Sequence, residues 1–314
     1  MISILCPCYN EEAALPLFFE RVMAVMEKIG EPFEVICVND GSQDRTFEIL
    51  KTYASSDGRI KVVDLSRNFG KEAALTAALD FSKGDAVIPI DADLQDPPEL
   101  IGLMIQKWHE GYEVILARRA DRSSDFWLKR LSAMMFYRAH NAISRPHIPE
   151  NVGDFRLIDR RAVDALGGLR ESHRFMKGLF AWVGFKTFTL DYTRVARSAG
   201  GSKFNGWQLW KLAVEGITSF STAPLTIWFY IGSITAFGAF LYGLFIFLRT
   251  LIFGVDLPGY ASQICLILFL GGLQLLGIGI LGEYIGRTYM ESKRRPVYVV
   301  REIYAKEKDE NANV

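Results

Sequence analysis

The 314-residue chain predicts an α/β domain with a mainly parallel sheet and flanking helices, followed by two membrane-spanning helices. Three observations lead there. Short apolar runs are separated by 20 to 30 residues with helical patterns between them, the alternation that builds a parallel sheet covered on both faces. Only three of the 72 charged residues, Arg249, Asp256 and Glu283, fall between positions 224 and 286, so charge and apolar surplus occupy different parts of the chain. The 36 basic and 36 acidic residues cancel while mean hydropathy reaches +0.13, which excludes a disordered chain and the basic footprint of a simple nucleic-acid binder.

Strands are expected at residues 2–5, 33–38, 60–65, 86–90 and 112–117. Between the first two, Leu15, Phe18, Val22, Val25, Met26 and Ile29 mark one apolar helix face. Pro97-Pro98-Glu99 opens a second helix over 100–109, with proline where a first turn tolerates it. Beyond Arg118 the alternation stops. Residues 126–143 and 206–220 read as amphipathic helices carrying Trp127, Trp207 and Trp210 beside Lys129, Arg130, Arg138 and Lys211, a mixture suited to a membrane interface; ordinary surface helices are the alternative.

Residues 224–248 and 258–282 are each 25 residues long without one charge. A helix of that length reaches about 37 Å and crosses a hydrocarbon core of about 30 Å with some tilt. Arg287 and Lys293-Arg294-Arg295 follow the second span, so the positive-inside rule places that end, and with it the N-terminal domain and both termini, in the cytoplasm. The first apolar run, 2–5, is too short for a signal peptide. The expected organisation is a cytoplasmic domain over 1–205, a juxtamembrane amphipathic helix over 206–223, two spans within 224–290 and a cytoplasmic tail over 291–314, frayed from Lys306 onward. Gly232/Ala236, Ala239/Gly243 and Gly282/Gly286 repeat small residues at four-residue spacing, which serves either a homo-oligomer or close packing of the two spans within one chain. The four cysteines fit a reducing compartment; Cys6-Pro7-Cys8 lacks a second pair for zinc and reads as packing.

In open parallel sheets ligands bind beyond the carboxyl ends of the strands. Polar clusters sit there: Pro7-Cys8-Tyr9-Asn10-Glu11-Glu12, Asn39-Asp40-Gly41-Ser42, and Asp91-Ala92-Asp93-Leu94-Gln95-Asp96. Asp91 and Asp93, two apart in extended chain, point to one side and repel unless a cation sits between them; such hard oxygen ligands suit Mg²⁺ or Mn²⁺ shared with a diphosphate. Turns are also rich in aspartate, which is the competing explanation. The P-loop is absent, and Gly-x-Gly-x-x-Gly follows none of the expected strands, its match at 277–282 lying inside the second apolar span, against dinucleotide and ATP use.

Together with Asn68-Phe69-Gly70-Lys71, the run 91–99, Gly153-Asp154-Phe155-Arg156-Leu157, the segment 197–203 and the two spans, these clusters resemble glycosyltransferase family 2. Within it the chain is similar to the polyprenyl-phosphate glycosyltransferases over nearly its whole length. The resemblance implies a Rossmann-like GT-A fold in 1–205. It implies that Pro7, Tyr9, Asn10 and Glu11 line the nucleotide, and that Asp40 accepts a hydrogen bond from the N–H edge of uracil or guanine, a turn aspartate capping the next helix being the alternative. Lys71 either reaches the nucleotide-sugar or is merely solvated, and Ala92 lies beside Asp91 in that site. Asp91, Asp93 and Gln95 are the implied metal set, with Asp96 an N-cap before Pro97. Arg118 and Arg130, with Arg122 and Arg138 as neighbours, are implied to hold the acceptor phosphate, where attraction to anionic head groups competes. Arg197 and Lys203 flank the glycines of a loop expected to close over the diphosphate.

Asp154 falls at the position of the family's catalytic base. A phosphate monoester has its second pKa near about 6 and is already largely ionised at neutral pH, so Asp154 either accepts a proton or orients the acceptor and holds Arg156. The Gln-x-x-Arg-Trp motif of processive members is absent, and Gln208-Leu209-Trp210-Lys211 does not replace it, which favours transfer of a single sugar. The implied reaction is inverting transfer from a nucleotide-sugar, UDP-glucose being the modal donor, to undecaprenyl phosphate on the cytoplasmic face of the inner membrane, for envelope glycan modification. GDP-mannose, UDP-N-acetylglucosamine and UDP-formamido-arabinose fit the same motifs. A saccharide or protein acceptor, or an inactive membrane scaffold, are the alternatives; nucleic acid is not an expected partner.

Overall fold

The five expected strands form, each close to its anticipated place: β1 (Ile2–Cys8), β2 (Phe33–Asn39), β3 (Ile60–Leu65), β4 (Ala86–Pro89) and β5 (Val114–Arg119). The computed structural model describes residues 1–119, 152–169, 171, 174, 176–192, 222–254 and 259–306. Between the strands run α1 (Leu15–Ile29), α2 (Thr46–Ser56), α3 (Lys71–Phe81) and α4 (Ile101–His109). The α1 stripe buries Leu15, Phe18, Val22 and Met26, and Gly30 ends the helix at φ 79°, a left-handed position that glycine adopts without steric cost. β1 and β2 are buried almost throughout, as parallel strands covered on both faces must be.

The chain past Arg119 adds more sheet than its sequence pattern announced. β6 (Val152–Asp159), β7 (Thr187–Tyr192) and β8 (Val300–Ala305) join the same sheet, with α5 (Arg160–Gly168) and α6 (Met176–Trp182) between β6 and β7. The order is β7-β5-β6-β4-β1-β2-β3-β8. β1, β2, β3 and β4 are mutually parallel, β5 and β7 are parallel, and β6 and β8 run antiparallel to their neighbours. The 291–314 tail is therefore not free throughout, since β8 closes the β3 edge. Tyr298 donates to Asp80 at 2.8 Å, and Arg301 reaches the buried Asp64 at 3.2 Å.

Succession runs from β1 to β3 on one side and then returns to β4 on the other. The change of direction opens a crevice beyond the carboxyl ends of β1 and β4, where this class of sheet binds ligands.

A second compact unit contains α7 (Ala223–Phe253) and α8 (Tyr260–Ser292). Their apolar stretches Pro224–Phe253 and Phe269–Ser292 are strongly hydrophobic yet almost wholly unburied, unlike a soluble core helix. Both are long enough to cross a bilayer. α7 and α8 meet at Trp228 and Gly277, where an added Cβ would overlap the indole. Gly232, Gly243, Gly282 and Gly286 instead face open space, so the anticipated small-residue positions do not mediate this contact. The amphipathic helices expected at 126–143 and 206–220, the boundary at 205, and residues 307–314 lie outside the described residues.

Candidate active site

The loops after β1 and β2 are laced together by side chains. Asn10, at φ 55°, receives the Gln43 N–H at 2.8 Å and donates its own N–H to Ser42 at 3.1 Å; the Glu11 N–H reaches Thr46 at 2.8 Å. Pro7 and Glu11 are half-buried and Tyr9 is exposed, so this segment presents a ring and a carboxylate at the crevice. Asp40 is buried and accepts N–H bonds from Phe69 at 2.7 Å and Gly70 at 2.9 Å. It therefore fixes the loop that opens α3, and burial raises its pKa despite those two bonds. Gly41 has to be glycine: it sits at φ 66°, and an added Cβ would stand 2.5 Å from the Asn68 backbone nitrogen.

β4 ends at Pro89, and Asp91 to Leu94 forms a turn in which the Leu94 N–H bonds the Asp91 carbonyl at 3.3 Å. The expectation of Asp91 and Asp93 in extended chain is corrected accordingly, because proline supplies no ladder donor and Leu94 adopts φ 50°. The two carboxylates still feel one another, since the charge of Asp93 is among the causes raising the Asp91 pKa, after burial and Asp154. Asp93 is exposed, with one oxygen accepting the Gln95 N–H at 3.2 Å. Gln95 and Ala92 are buried, and the Gln95 Nε2 finds no hydrogen-bond partner among the described residues. Asp96 is not an N-cap: the turn at Pro98–Leu100 begins after Pro97, and Asp96 instead accepts from the Tyr192 hydroxyl, with Arg119 at 3.9 Å.

The antiparallel course of β6 delivers the remaining carboxylate. Ala86 pairs with Asp159 and Val87 with Ile158, so β6 runs back along β4 and carries Asp154 toward the end of β4 that Asp91 follows. Lys71, in the first turn of α3, bridges the two, its Nζ lying 2.7 Å from Asp91 and 2.8 Å from Asp154. Burial would lower the Lys71 pKa, but the two carboxylates outweigh it and hold the ammonium well above its usual value. Burial pushes Asp154 up, yet Lys71, Lys177 and Arg156 bring it below the ordinary aspartate range. Lys71 and Asp91 keep 46% and 40% of their side-chain surface exposed, so the bridge is open to exchange with an incoming ligand; Asp154 keeps 20%, and its Oδ1 has no hydrogen-bond partner among the described residues.

Of the residues surrounding this carboxylate, sequence reasoning named Arg156 but missed Glu72, Lys177 and Phe180. Glu72, beside Lys71, accepts the Met176 N–H at 3.3 Å, and burial with the nearby Asp154 charge pushes its pKa up to about 7. Arg156 is buried, stacked 4.1 Å over Phe180 and bonded to the Gly153 carbonyl at 2.6 Å; burial lowers its pKa to about 10. Arg156, Lys177 and Phe180 line a cavity of about 160 Å³ with Val114, Leu116 and Phe185. The helical phase that turns Glu72 inward was the available signal.

Of the acceptor-phosphate candidates only Arg118 is described. Its fork is engaged bidentately by Asp191 at 2.6 and 2.9 Å rather than standing open. Arg122, Arg130, Arg138, Arg197 and Lys203 lie outside the described residues.

The family model for glycosyl transferase family 2 matches residues 3–167, a span that contains Asp40, Lys71, Asp91, Asp93, Asp154 and Arg156. The chain belongs to glycosyltransferase family 2. Over 302 residues it is 52% identical to the prophage bactoprenol glucosyl transferase homolog of Escherichia coli K12, covering 96% of this chain and 99% of that protein. It is also 52% identical over 300 residues to the bactoprenol glucosyl transferase of Shigella phage SfV, covering 96% and 98%. Among solved structures, glucosyl-3-phosphoglycerate synthase from Mycobacterium tuberculosis is 21% identical with TM-score 0.47, over 69% of this chain and 74% of that one. The protein is thus a glycosyltransferase with a mainly parallel sheet and two candidate membrane-spanning helices near its C-terminus.

Proposed function

We propose that this family 2 transferase moves one sugar, with inversion, from a nucleotide-sugar to a polyprenyl phosphate at the cytoplasmic membrane surface, UDP-glucose being the leading donor. The observation that carries the reading is the Asp91–Lys71–Asp154 bridge at the crevice, in a chain alike along its whole length to proteins named bactoprenol glucosyl transferases. The basic run Lys293-Arg294-Arg295 after the second apolar helix supports a cytoplasmic catalytic unit.

The donor set fits a hard divalent cation: Asp91 and Asp93 offer carboxylate oxygens at one turn and interact electrostatically. Held by them, Mg²⁺ or Mn²⁺ would neutralise charge on the departing diphosphate. Lys71 then trades one carboxylate for a phosphate oxygen, and the Pro7–Glu11 segment lines the base and ribose. Asp40 supports this binding wall through its bonds to Phe69 and Gly70, and each of its oxygens keeps a lone pair with which it would accept the base N–H. The acceptor phosphate approaches Asp154, whose ionised, unpartnered Oδ1 takes up or orients its proton while Arg156 and Lys177 offset the added negative charge. The phosphate oxygen bonds the anomeric carbon as the bond to the nucleotide diphosphate breaks on the opposite face.

Nucleotide diphosphate release from UDP-glucose, GDP-mannose and UDP-N-acetylglucosamine, each with and without undecaprenyl phosphate, tests this reading. Release that requires the lipid phosphate supports it; equal release without lipid would favour another acceptor.

A further inference from the structure

The sheet brings together three thiols that the proposed chemistry does not use. A strand's period of two puts Cys6 and Cys8 on one face of β1, and the parallel register sets Cys37 of β2 directly beside Cys6. All three Sγ atoms lie within 4.8 Å of one another, with Cys6 and Cys8 3.6 Å apart. None is more than 1% exposed, and the trio belongs to the same apolar cluster as Leu15, Phe18 and Ile88.

We propose that Cys6, Cys8 and Cys37 form a three-sulfur site that captures a trivalent thiophilic element, arsenic or antimony in the arsenite class, and that its occupation disables nucleotide-sugar binding. The second half rests on the reading of the Pro7–Glu11 segment and Asp40 as the nucleotide wall.

The donor set and its surroundings select the ligand. Zinc completes a tetrahedron, and no fourth nitrogen, sulfur or carboxylate ligand joins this cluster among the described residues. Three thiolates around a divalent ion would also leave a net negative charge in an apolar core, which is costly to bury, and the Glu11 charge felt at Cys8 adds to that cost. A trivalent element avoids it. Arsenous acid, As(OH)₃, exchanges three As–O bonds for three As–S bonds; each hydroxide leaves as water with one thiol proton, arsenic stays trivalent, and the product is neutral. Soft sulfur donors suit such a centre. Burial pushes the Cys6 thiol up, whereas Cys37, hydrogen-bonded by Cys6 and Cys8, is drawn down and supplies the first nucleophile.

The site is mechanically joined to the crevice. Cys6 and Cys8 flank Pro7, and the Cys8 carbonyl accepts the Asp40 N–H at 2.9 Å. Tying three sulfurs to one atom draws the ends of β1 and β2 inward at the point from which Tyr9 and Asp40 are displayed.

The test uses full-length protein in detergent carrying Cys265→Ser, so that the trio are the remaining thiols. After incubation with sodium arsenite and desalting, arsenic content and arsenic X-ray absorption are measured, together with the thermal shift induced by UDP-glucose and Mg²⁺. The proposal expects one arsenic per chain in a three-sulfur shell and loss of the nucleotide-induced shift. Adding Cys37→Ser should abolish uptake, and so should Cys8→Ser at the strand's end, where the smaller change of environment preserves folding as read by the melting temperature. No arsenic, a two-sulfur shell, or undiminished uptake in either variant overturns the capture site. Bound arsenic with an unchanged nucleotide shift overturns the coupling alone. A protein that never responds to nucleotide-sugars contradicts the nucleotide reading, while the arsenic measurement still decides the capture site.

Discussion

The ammonium of Lys71 stands 2.8 Å from Asp154 Oδ2, joining the first turn of α3 to the antiparallel strand β6. It holds Asp91 at 2.7 Å at the same time. One cation thus opposes the effect of burial on two carboxylates side by side at the crevice, favouring the ionised form of each.

Lys71→Met should raise the Asp154 pKa, because the favourable charge that offsets burial is lost. A group whose pKa is held down works to lower pH than usual; removing the cause moves the acidic limb of kcat to higher pH. Comparing kcat against pH for the two proteins checks this, and superimposable acidic limbs would remove Lys71 from the account.

Asp93→Ala should abolish transfer and metal-dependent nucleotide binding while changing stability by no more than about 0.5 kcal/mol, since the side chain is exposed and accepts a local backbone N–H. Near-normal turnover of this variant in EDTA would end the metal assignment.

Glu72 gives a pH signature in stability. Its pKa rises from 4.5 to about 7 on folding, so the folded state favours the protonated carboxyl; that contribution is complete below about 4.5 and lost as pH climbs through about 7. Glu72→Gln keeps an acceptor for the Met176 N–H without the charge. Its melting temperature should match wild type at low pH and exceed it above pH 7, read by thermal unfolding across that range; the reverse order would show that ionised Glu72 is stabilising.

The apolar unit separates two roles for small residues. Gly277→Leu should disrupt the α7–α8 contact, because even a Cβ there overlaps Trp228. Gly243→Leu and Gly282→Leu meet open space within the chain and should leave that contact intact. If those faces serve self-association, as we propose, native mass spectrometry in mild detergent should show wild-type oligomers and Gly243→Leu monomers. A wild-type monomer would contradict it.

The first half of the sheet was legible because parallel strands covered on both faces are written as mostly apolar runs such as those of β1 and β2. β6 and β8 were not: Val152–Asp159 carries two acids and an arginine, and Val300–Ala305 carries Arg301 and Glu302. Their pairing with β4, β5 and β3 compensates for weak local pattern, and that information is long-range. The site divides the same way. Asp91, Asp154 and Lys71 were found as motif residues, but their convergence depends on the register of an antiparallel strand that spacing cannot reveal. Likewise Cys6-Pro7-Cys8 read as packing because the third thiol arrives from a neighbouring strand.

The most direct test of lipid-phosphate glycosylation at the Asp154 carboxylate is mass analysis of the lipid product. Purified protein with UDP-glucose, Mg²⁺ and undecaprenyl phosphate should yield a lipid phosphate carrying one hexose of inverted anomeric configuration, and Asp154→Asn should lose most of that rate at every pH. A lipid left unmodified by wild type under these conditions, or Asp154→Asn recovering substantial activity once the acceptor is a dianion, would contradict it.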